Sequence, residues 1–465
     1  MTSGTPPVGV VLAAGQGTRM KSDKPKVIHP VCGLAMVEWV VRVLAEAGLE
    51  RIVVVVGHGA DSVRERLAGY PVEFVEQTER KGTGHAVMCA APLLQGHDGV
   101  TVVSAGDTPL LMADTVRTLL EACRSGAGAA LSTAFLEEPG SYGRIIRDAG
   151  GAFEAIVEAK DCTSAQLLTK EWNPALYAFD NKLLLESLPK LTTSNAQGEY
   201  YLTDVLGLVR AGGHRVDALP AKDAEQFIGV NDRWQLSEAG AAMRRRILRR
   251  HAESGVTIID PDSTTIGPDV SIGVDTLVHP NTIIEGKTSI GKGCELGPNT
   301  WIKDSQLGDG VRAYMSHIER AEMGDNSRCG PFANMRPGAR LAEKVKIGNF
   351  VEIKNASLGS ETSVSHLTYI GDAEVGQRTN IGAGTITCNY DGFAKHKTSI
   401  GSDSFVGSNS TLVAPVTLGD ESFVAAGSVV TQDVPDGAMA IGRGRQENKE
   451  GWFTRWRSQK QKANQ

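Results

Sequence analysis

From Val8 to about Val230, short apolar runs alternate with amphipathic segments. GVVLAA, RIVVVVG, VEFVEQ and VTVVSAGD predict strands, because each is short, apolar and rich in valine. Between them, MVEWVVRVLAEAG predicts an amphipathic helix ending at Gly48, and DSVRERLAG and HAVMCAAPLL predict two more. Strands alternating with helices imply βαβ units and a mostly parallel α/β sheet. Near residue 231 the pattern changes. DRWQLSEAGAAMRRRILRRHAESG lacks proline and predicts one linker helix closed by Gly255, its arginines forming a solvated face.

Beyond Gly255 an aliphatic residue returns every sixth position. One run is Ile266, Ile272, Val278, Ile284, Ile290, Leu296 and Ile302; another is Ile400, Val406, Leu412, Leu418, Val424 and Val430. A period of six fits neither a helix nor simple strand alternation. It predicts a parallel β-helix of hexapeptide repeats, each short strand sending one aliphatic side chain inward. With three hexads per triangular coil, about 175 residues make about ten coils, stacked roughly 4.8 Å apart. The phase slips between about 307 and 346, and again between Thr387 and Ile400. Both slips are expected to be loops, and the second, CNYDGFAKHK, gathers functional groups at Asn389, Tyr390 and Lys395. The organisation expected is a nucleotide-binding domain over 5–230, a linker helix over 231–254, a β-helix over 255–445 and a tail over 446–465.

Composition narrows the setting. The 465 residues are 41% hydrophobic and 22% charged, an ordinary globular balance. A net charge of −6 argues against broad nucleic-acid binding. Seven cysteines, odd in number and without a C-x-x-C pair, argue against a disulfide framework or structural zinc and fit a reducing cytoplasm. MTSGTPPVGVVLAAG has no basic start and no long apolar run, so neither a signal peptide nor a membrane span is expected.

The chemistry begins at LAAGQGTRMKSDKPK, a glycine-rich loop after the first strand. It lacks the G-x-x-x-x-G-K-[ST] of a P-loop. Met20 stands where a dinucleotide fingerprint needs its third glycine, and no acid follows the second strand. The full string L-A-A-G-x-G-T-R-M followed by Pro25-Lys26 instead resembles the signature of the sugar-phosphate nucleotidyltransferases, which join a nucleoside triphosphate to a sugar 1-phosphate and release pyrophosphate. The residues suit that reaction. Leu12, Ala13, Ala14, Gly15 and Gly17 would present backbone N–H groups to phosphates. Arg19 and Lys26 would offset charge that builds during transfer. The resemblance implies that Asp107, in Ala105-Gly106-Asp107 at a strand end, holds Mg²⁺ with help from Asn231. It also implies that Gln77, Gly82 and Thr83 read the base, and that Gly143, Glu158 and Asn173 bind the sugar. Two positions depart from the usual family pattern. Residues 173–175 read Asn-Pro-Ala rather than Asn-Thr-Gly, and Ala105 replaces a frequent aromatic.

The second half resembles a particular branch. PFANMRPGA, GNFVEIKN, SHLTYIGDAEVG and NIGAGTITCNYDG are similar, in order, to segments of the bifunctional bacterial enzymes of UDP-N-acetylglucosamine synthesis. That implies a left-handed β-helix and two activities: acetylation of glucosamine 1-phosphate by acetyl-CoA, then coupling of N-acetylglucosamine 1-phosphate to UTP, feeding cell-envelope precursors. His366 matches the base that takes a proton from the attacking amine. Arg336, Lys354, Tyr369, Asn380 and Lys395 match sugar-phosphate contacts. Glu352, on the same strand face as Lys354, is expected to orient His366. Ala383, Asn389, Tyr390, Ser408, Ala426 and Arg443 match positions around acetyl-CoA. A homotrimer sharing sites across subunits in the cytoplasm is implied, with no nucleic acid and no stable membrane insertion. The tail, with Trp452, Phe453 and Trp456, is expected to dock on a neighbouring subunit, its last basic residues disordered. Two rivals stay open: a nucleotidyltransferase whose solenoid is only a scaffold, and a non-catalytic relative.

Overall fold

The computed structural model describes residues 5–463. The chain divides into two compact units, Met1–Ile247 and Leu248–Gln465, and the division falls inside the helix Arg233–Glu253.

The first unit is built on one ten-stranded sheet. Four strands lie parallel in the order Val72–Glu76, Arg51–Val56, Val8–Ala13 and Val100–Ala105. Helices Met36–Glu46 and Thr83–Leu94 pack against this half, each contributing to a different core. Alternation along the strands divides the valines between those cores. Val54 and Val56 face the core that holds Val40 and Leu44, while Val53 and Val55 face the one that holds Val87 and Leu94. A strand covered on both sides must be apolar throughout, which is why RIVVVV carries no alternation. The helix Met36–Glu46 stops where Gly48 takes φ +97°, as its sequence predicts.

Beyond Val100–Ala105 the sheet is mixed. Leu176–Asp180 pairs antiparallel with Val100–Ala105 and with Ala129–Phe135, and Arg144–Arg147 pairs antiparallel with Phe153–Val157. The parallel pattern is continuous only over the first four strands; beyond them the one parallel pair is Val216–Pro220 with Ala129–Phe135. The connection between Arg147 and Phe153 is too short for a crossover, and a short connection permits only antiparallel pairing.

The second unit is a left-handed β-helix of three parallel sheets with eleven, ten and nine strands. The period-six aliphatics face inward: Ile284, Leu296, Ile302, Val406, Leu412 and Val424 are completely buried. Corners are turned by residues in the left-handed region, among them Asp275, Asn281 and Asn299. Aspartates join adjacent coils: Asp309 Oδ1 accepts the Lys292 N–H at 3.0 Å, and Asp325 Oδ1 accepts the Asp309 N–H at 2.8 Å.

The two phase slips have different causes. Between 307 and 346 there is no inserted loop. Leu307 pairs beside Ile290, and Met323 beside Leu307, so the stack continues unbroken. The slip comes from corners one residue shorter, at Asp304, Met315 and Arg320, each with positive φ. Between Thr387 and Ile400 the chain does leave the stack. Tyr390 and Lys395 form an antiparallel bridge, and Asp391 Oδ1 accepts the N–H groups of Phe393 and Ala394 at 2.8 and 2.7 Å. Those two N–H groups and His396 hold the Asp391 carboxyl well below its usual range. The tail also differs from expectation. Trp452–Ala463 is an exposed helix, not a disordered end. Arg, Lys, Gln and Ala all favour helix, and Trp452 stacks on Trp456 one turn later. Residues 464 and 465 lie outside the described residues. Among the described residues, no helix is long and apolar enough to cross a membrane.

Leu412→Ala is expected to cost about 2–5 kcal/mol of stability, read from the midpoint of denaturant unfolding, because it empties a closed coil. Phe393→Ala, at a position 97% exposed in the loop, is expected to leave the midpoint in place.

Candidate active sites

In the first unit the ends of parallel strands open into a cleft of about 310 Å³. Leu12, Ala14, Gly15, Lys26, Gln77, Gly82, Thr83, Ala105 and Asp107 line it. The glycine loop is held from below: Ala13 is fully buried, and the Gly106 N–H donates to Leu12 O at 2.9 Å. Gly17 has φ +64°, and a Cβ there would fall 2.6 Å from Lys26 Cβ. Glycine at this position therefore lets the loop close on Lys26. The Lys26 ammonium contacts the Asp107 carboxylate and donates to Asn231 Oδ1 at 3.1 Å. A bond from the Val230 N–H to Asp107 O, 3.1 Å, ties the two distant segments together.

One charged and one neutral oxygen, 124 residues apart in sequence, thus converge on a single cationic centre. That donor set fits Mg²⁺, which takes one or two protein oxygens and completes its shell with phosphate and water. Among the described residues, no group of three or more His, Cys, Asp or Glu side chains forms a metal cage. The two-oxygen site suits an ion carried in with phosphate.

Among the residues expected to read the base, Gln77 is buried and its Nε2 donates to Gly82 O at 3.1 Å. Gly82 has φ +103°, and a Cβ there would meet Tyr200 O at 2.5 Å. Thr83 Oγ1 accepts the Leu202 N–H at 3.1 Å. The expected sugar residues also gather. The Asn173 N–H donates to Gly143 O at 2.9 Å, and a Cβ on Gly143 would stand 3.3 Å from Glu158 Oε2. Burial, then the charges of Asp161 and Asp204, push the Glu158 carboxyl above its usual value against a bond from Thr203. Asn173 Oδ1 accepts the Ala175 N–H at 3.1 Å, forming an Asx turn that carries Ala175 at φ +59°, a conformation alanine rarely takes. Arg19 is exposed on the turn Thr18–Met20 and does not line the cleft. Arg80, Ala175 and Glu199 line it without having been singled out as binding groups. Arg80 donates to Gln16 Oε1 at 2.7 Å, a contact that only the fold creates. Glu199 lies in a run, NAQGEYY, whose Asn195 and Gly198 mark it as a loop.

In the second unit, parallel register assembles the expected acetyltransferase groups. Asn334, Glu352 and Tyr369 occupy equivalent positions on successive coils. Arg336 Nη1 donates to Glu352 Oε1 at 2.6 Å. The Lys395 ammonium lies beside Lys354 and lowers its pKa. Asp372 is held below its usual value: burial opposes this, but bonds from Asn355 and Asn389 and the charges of Lys395 and Lys354 outweigh it. Asn389 therefore spends its amide on Asp372, pinning the loop, while Tyr390 is exposed and donates to Gly392 O at 2.6 Å. Asn380 pairs with Ser363, on the strand that ends in His366. His366 is exposed, with Nδ1 2.6 Å from Asn349 Oδ1. The expected partner, Glu352, is instead engaged by Arg336; strand spacing places Glu352 and Lys354 on one face but cannot say which neighbouring coil meets the imidazole.

Ala383, Ser408 and Ala426 occupy one corner on successive coils. The Asn409 N–H donates to Ala383 O at 2.7 Å, and the Gly427 N–H donates to Ser408 O at 2.8 Å. Arg443 extends this column, its Cδ lying 3.9 Å from the Cβ position of Gly427.

These features define a nucleotidyltransferase domain joined to a hexapeptide-repeat acyltransferase. The family model of the MobA-like NTP transferase domain matches residues 9–206, and that of the hexapeptide repeat of succinyl-transferase matches 397–432. The chain is 50% identical to the bifunctional protein GlmU of Geobacillus sp. (strain WCH70), over 96% of this chain and 97% of that protein. It is 48% identical to that of Clostridium acetobutylicum, over 95% and 97%. The chain belongs to the bifunctional GlmU family.

Glu158 sets a pH prediction. Between the ordinary glutamate value and its raised folded value, the folded state keeps a proton that the unfolded chain releases. Stability therefore falls as pH rises through that window and stays lower above it. Glu158→Gln is expected to raise the thermal midpoint at pH 7, and the gain should vanish below the ordinary glutamate pKa.

Proposed function

We propose that the second unit acetylates glucosamine 1-phosphate with acetyl-CoA, and that the first then couples N-acetylglucosamine 1-phosphate to UTP, giving UDP-N-acetylglucosamine and pyrophosphate. The observation that carries this reading is that one chain presents two polar clusters, Lys26–Asp107–Asn231 in a cleft and, on neighbouring coils of the solenoid, His366 with the cations Arg336, Lys354 and Lys395.

In the acetyl transfer, the amine nitrogen of the sugar attacks the thioester carbonyl. The N–C bond forms and the C–S bond breaks. His366 takes the proton that the nitrogen gives up and returns it to the departing thiolate, so CoA leaves as its thiol. Arg336, Lys354 and Lys395 hold the sugar phosphate, and their charges fix its position relative to the imidazole. The corner column Ala383, Ser408, Ala426 and Arg443 receives the CoA, with backbone groups at the alanines and a cation for a CoA phosphate.

In the second reaction, a phosphate oxygen of the sugar 1-phosphate attacks the α-phosphorus of UTP and pyrophosphate departs. Gly15 and Gly17 let backbone N–H groups approach the phosphates. Gln77, with the Gly82–Thr83 backbone, receives uracil. Gly143, Glu158 and Asn173 receive the sugar. Lys26 moves its charge onto the phosphates as substrate arrives, and Arg19 closes from the surface. Mg²⁺, held by Asp107 and Asn231 when bound, supplies charge neutralisation at the phosphates. The exposed stacked pairs Phe332–Phe350 and Phe405–Phe423, together with Leu367, suit a cytoplasmic homotrimer in which neighbouring copies cover them.

Purified protein given glucosamine 1-phosphate, acetyl-CoA, UTP and Mg²⁺ is expected to release CoA and pyrophosphate. His366→Ala should cut CoA release by roughly 10²-fold or more and leave pyrophosphate release from N-acetylglucosamine 1-phosphate intact. Asp107→Ala should do the reverse. A chelator of divalent ions should stop pyrophosphate release alone. Pyrophosphate without any CoA would make the solenoid a scaffold.

A further inference from the structure

We infer that Asn349, one coil before His366, is the positioning residue that sets the tautomer and direction of the acetyltransferase base. The inference rests on the reading of His366 as that base. Strand Lys346–Asn349 pairs in parallel with Ser363–His366, and the register places Asn349 directly beside His366. Parallel stacking holds such neighbours roughly 4.8 Å apart along the sheet. Here the polar ends close to 2.6 Å, between Nδ1 and Asn349 Oδ1. An amide oxygen only accepts, so Nδ1 carries the hydrogen and Nε2 keeps its lone pair free for the amine proton.

The surrounding backbone is arranged to keep this contact. A Cβ on Gly348 would lie 2.0 Å from Ser365 O, so glycine before Asn349 permits the close approach of the two coils. The Leu367 N–H donates to Asn349 O at 3.1 Å. His366 O accepts Thr368 Oγ1–H at 2.7 Å and the Gly384 N–H at 3.3 Å. Phe350 follows at φ +57°, donates its N–H to Phe332 O at 3.1 Å and stacks on the Phe332 ring. Asn349 and His366 are thus both fixed at the main chain, and the amide–imidazole bond completes the frame.

The choice of an amide has a chemical consequence. A carboxylate in the same place would also accept from Nδ1–H, but it would stabilise the imidazolium and reduce the free base near neutral pH. The carboxylate nearest along the following strand, Glu352, is held by Arg336. The other charged side chains on the neighbouring coils are the cations Lys346, Lys354 and Lys395 and the anion Asp372, whose carboxylate is taken up by Asn355, Asn389 and the two nearer lysines. Asn349 therefore orients the ring without adding negative charge to it.

The test uses the full chain, with CoA release from acetyl-CoA and glucosamine 1-phosphate measured across pH. Pyrophosphate release from N-acetylglucosamine 1-phosphate serves as the internal control. Asn349→Ala is expected to lower kcat roughly 10- to 100-fold, with KM for both acetyl-transfer substrates within about twofold and the control unchanged. Asn349→Asp, nearly isosteric, should recover kcat relative to Asn349→Ala at high pH while moving the acid limb of the profile to higher pH. Wild-type kcat and an unshifted pH profile in both variants, with His366→Ala inactive, would overturn the role of Asn349. An increase in KM alone in Asn349→Ala would overturn it too, by making Asn349 a substrate contact. Full CoA release by His366→Ala would instead remove the base itself, a separate failure.

Discussion

In a parallel pair each strand ends on the same side as its neighbour, and the chain can start the next strand only after crossing back. Both halves of this protein are consequences of that requirement. In the first, the crossings are helices, and the carboxyl ends of Val8–Ala13, Arg51–Val56, Val72–Glu76 and Val100–Ala105 collect along one edge. The glycine loop, Gln77 and Asp107 follow these ends, so residues distant in sequence share one cleft. In the second half the crossings shrink to corners. Each outward residue then stands beside its equivalent on the next coil, and Asn334, Glu352 and Tyr369 become a column.

The sites are assembled by this scaffold in different ways. At the nucleotide cleft, bond-level constraints bring opposite charges together. Gly17 admits Lys26, Gly106 anchors to Leu12, and Val230 anchors to Asp107, so Lys26, Asp107 and Asn231 meet without any one segment supplying all three. On the solenoid, like charges meet. Lys354 and Lys395 lie close enough for one ammonium to depress the other, and the charge of Asp372 offsets that repulsion only in part. A site whose lysine is engaged by its counter-ion and a site whose cations outnumber theirs are both suited to phosphate. The first releases a lysine to the incoming charge, and the second offers an excess of cations.

Much of this was legible before the fold was known. Period-six aliphatics announced the coils because an inward position must be apolar in every turn. The glycine string and Asp107 announced the cleft because few residues tolerate those backbone demands. The misreadings have physical causes. One-residue-shorter corners at Asp304, Met315 and Arg320 break the count without breaking the stack, so they resembled an insertion. The antiparallel pairs of the sheet were hidden because individual strands look alike whichever way their partners run. Glu352 looked like the partner of His366 by charge, whereas Asn349 is its partner by register.

The residue pattern alone determined the two architectures, the solenoid period, the position of the one true excursion between Thr387 and Ile400 and the chemical types available to each site. Those follow from local rules: burial period, glycine tolerance and charge. Tertiary structure decided which oxygen meets Lys26, which amide meets His366, and that Ala175 would sit at positive φ on the cleft wall. These depend on which strands become neighbours, and neighbour choice is set by packing over the whole sheet rather than by any short segment.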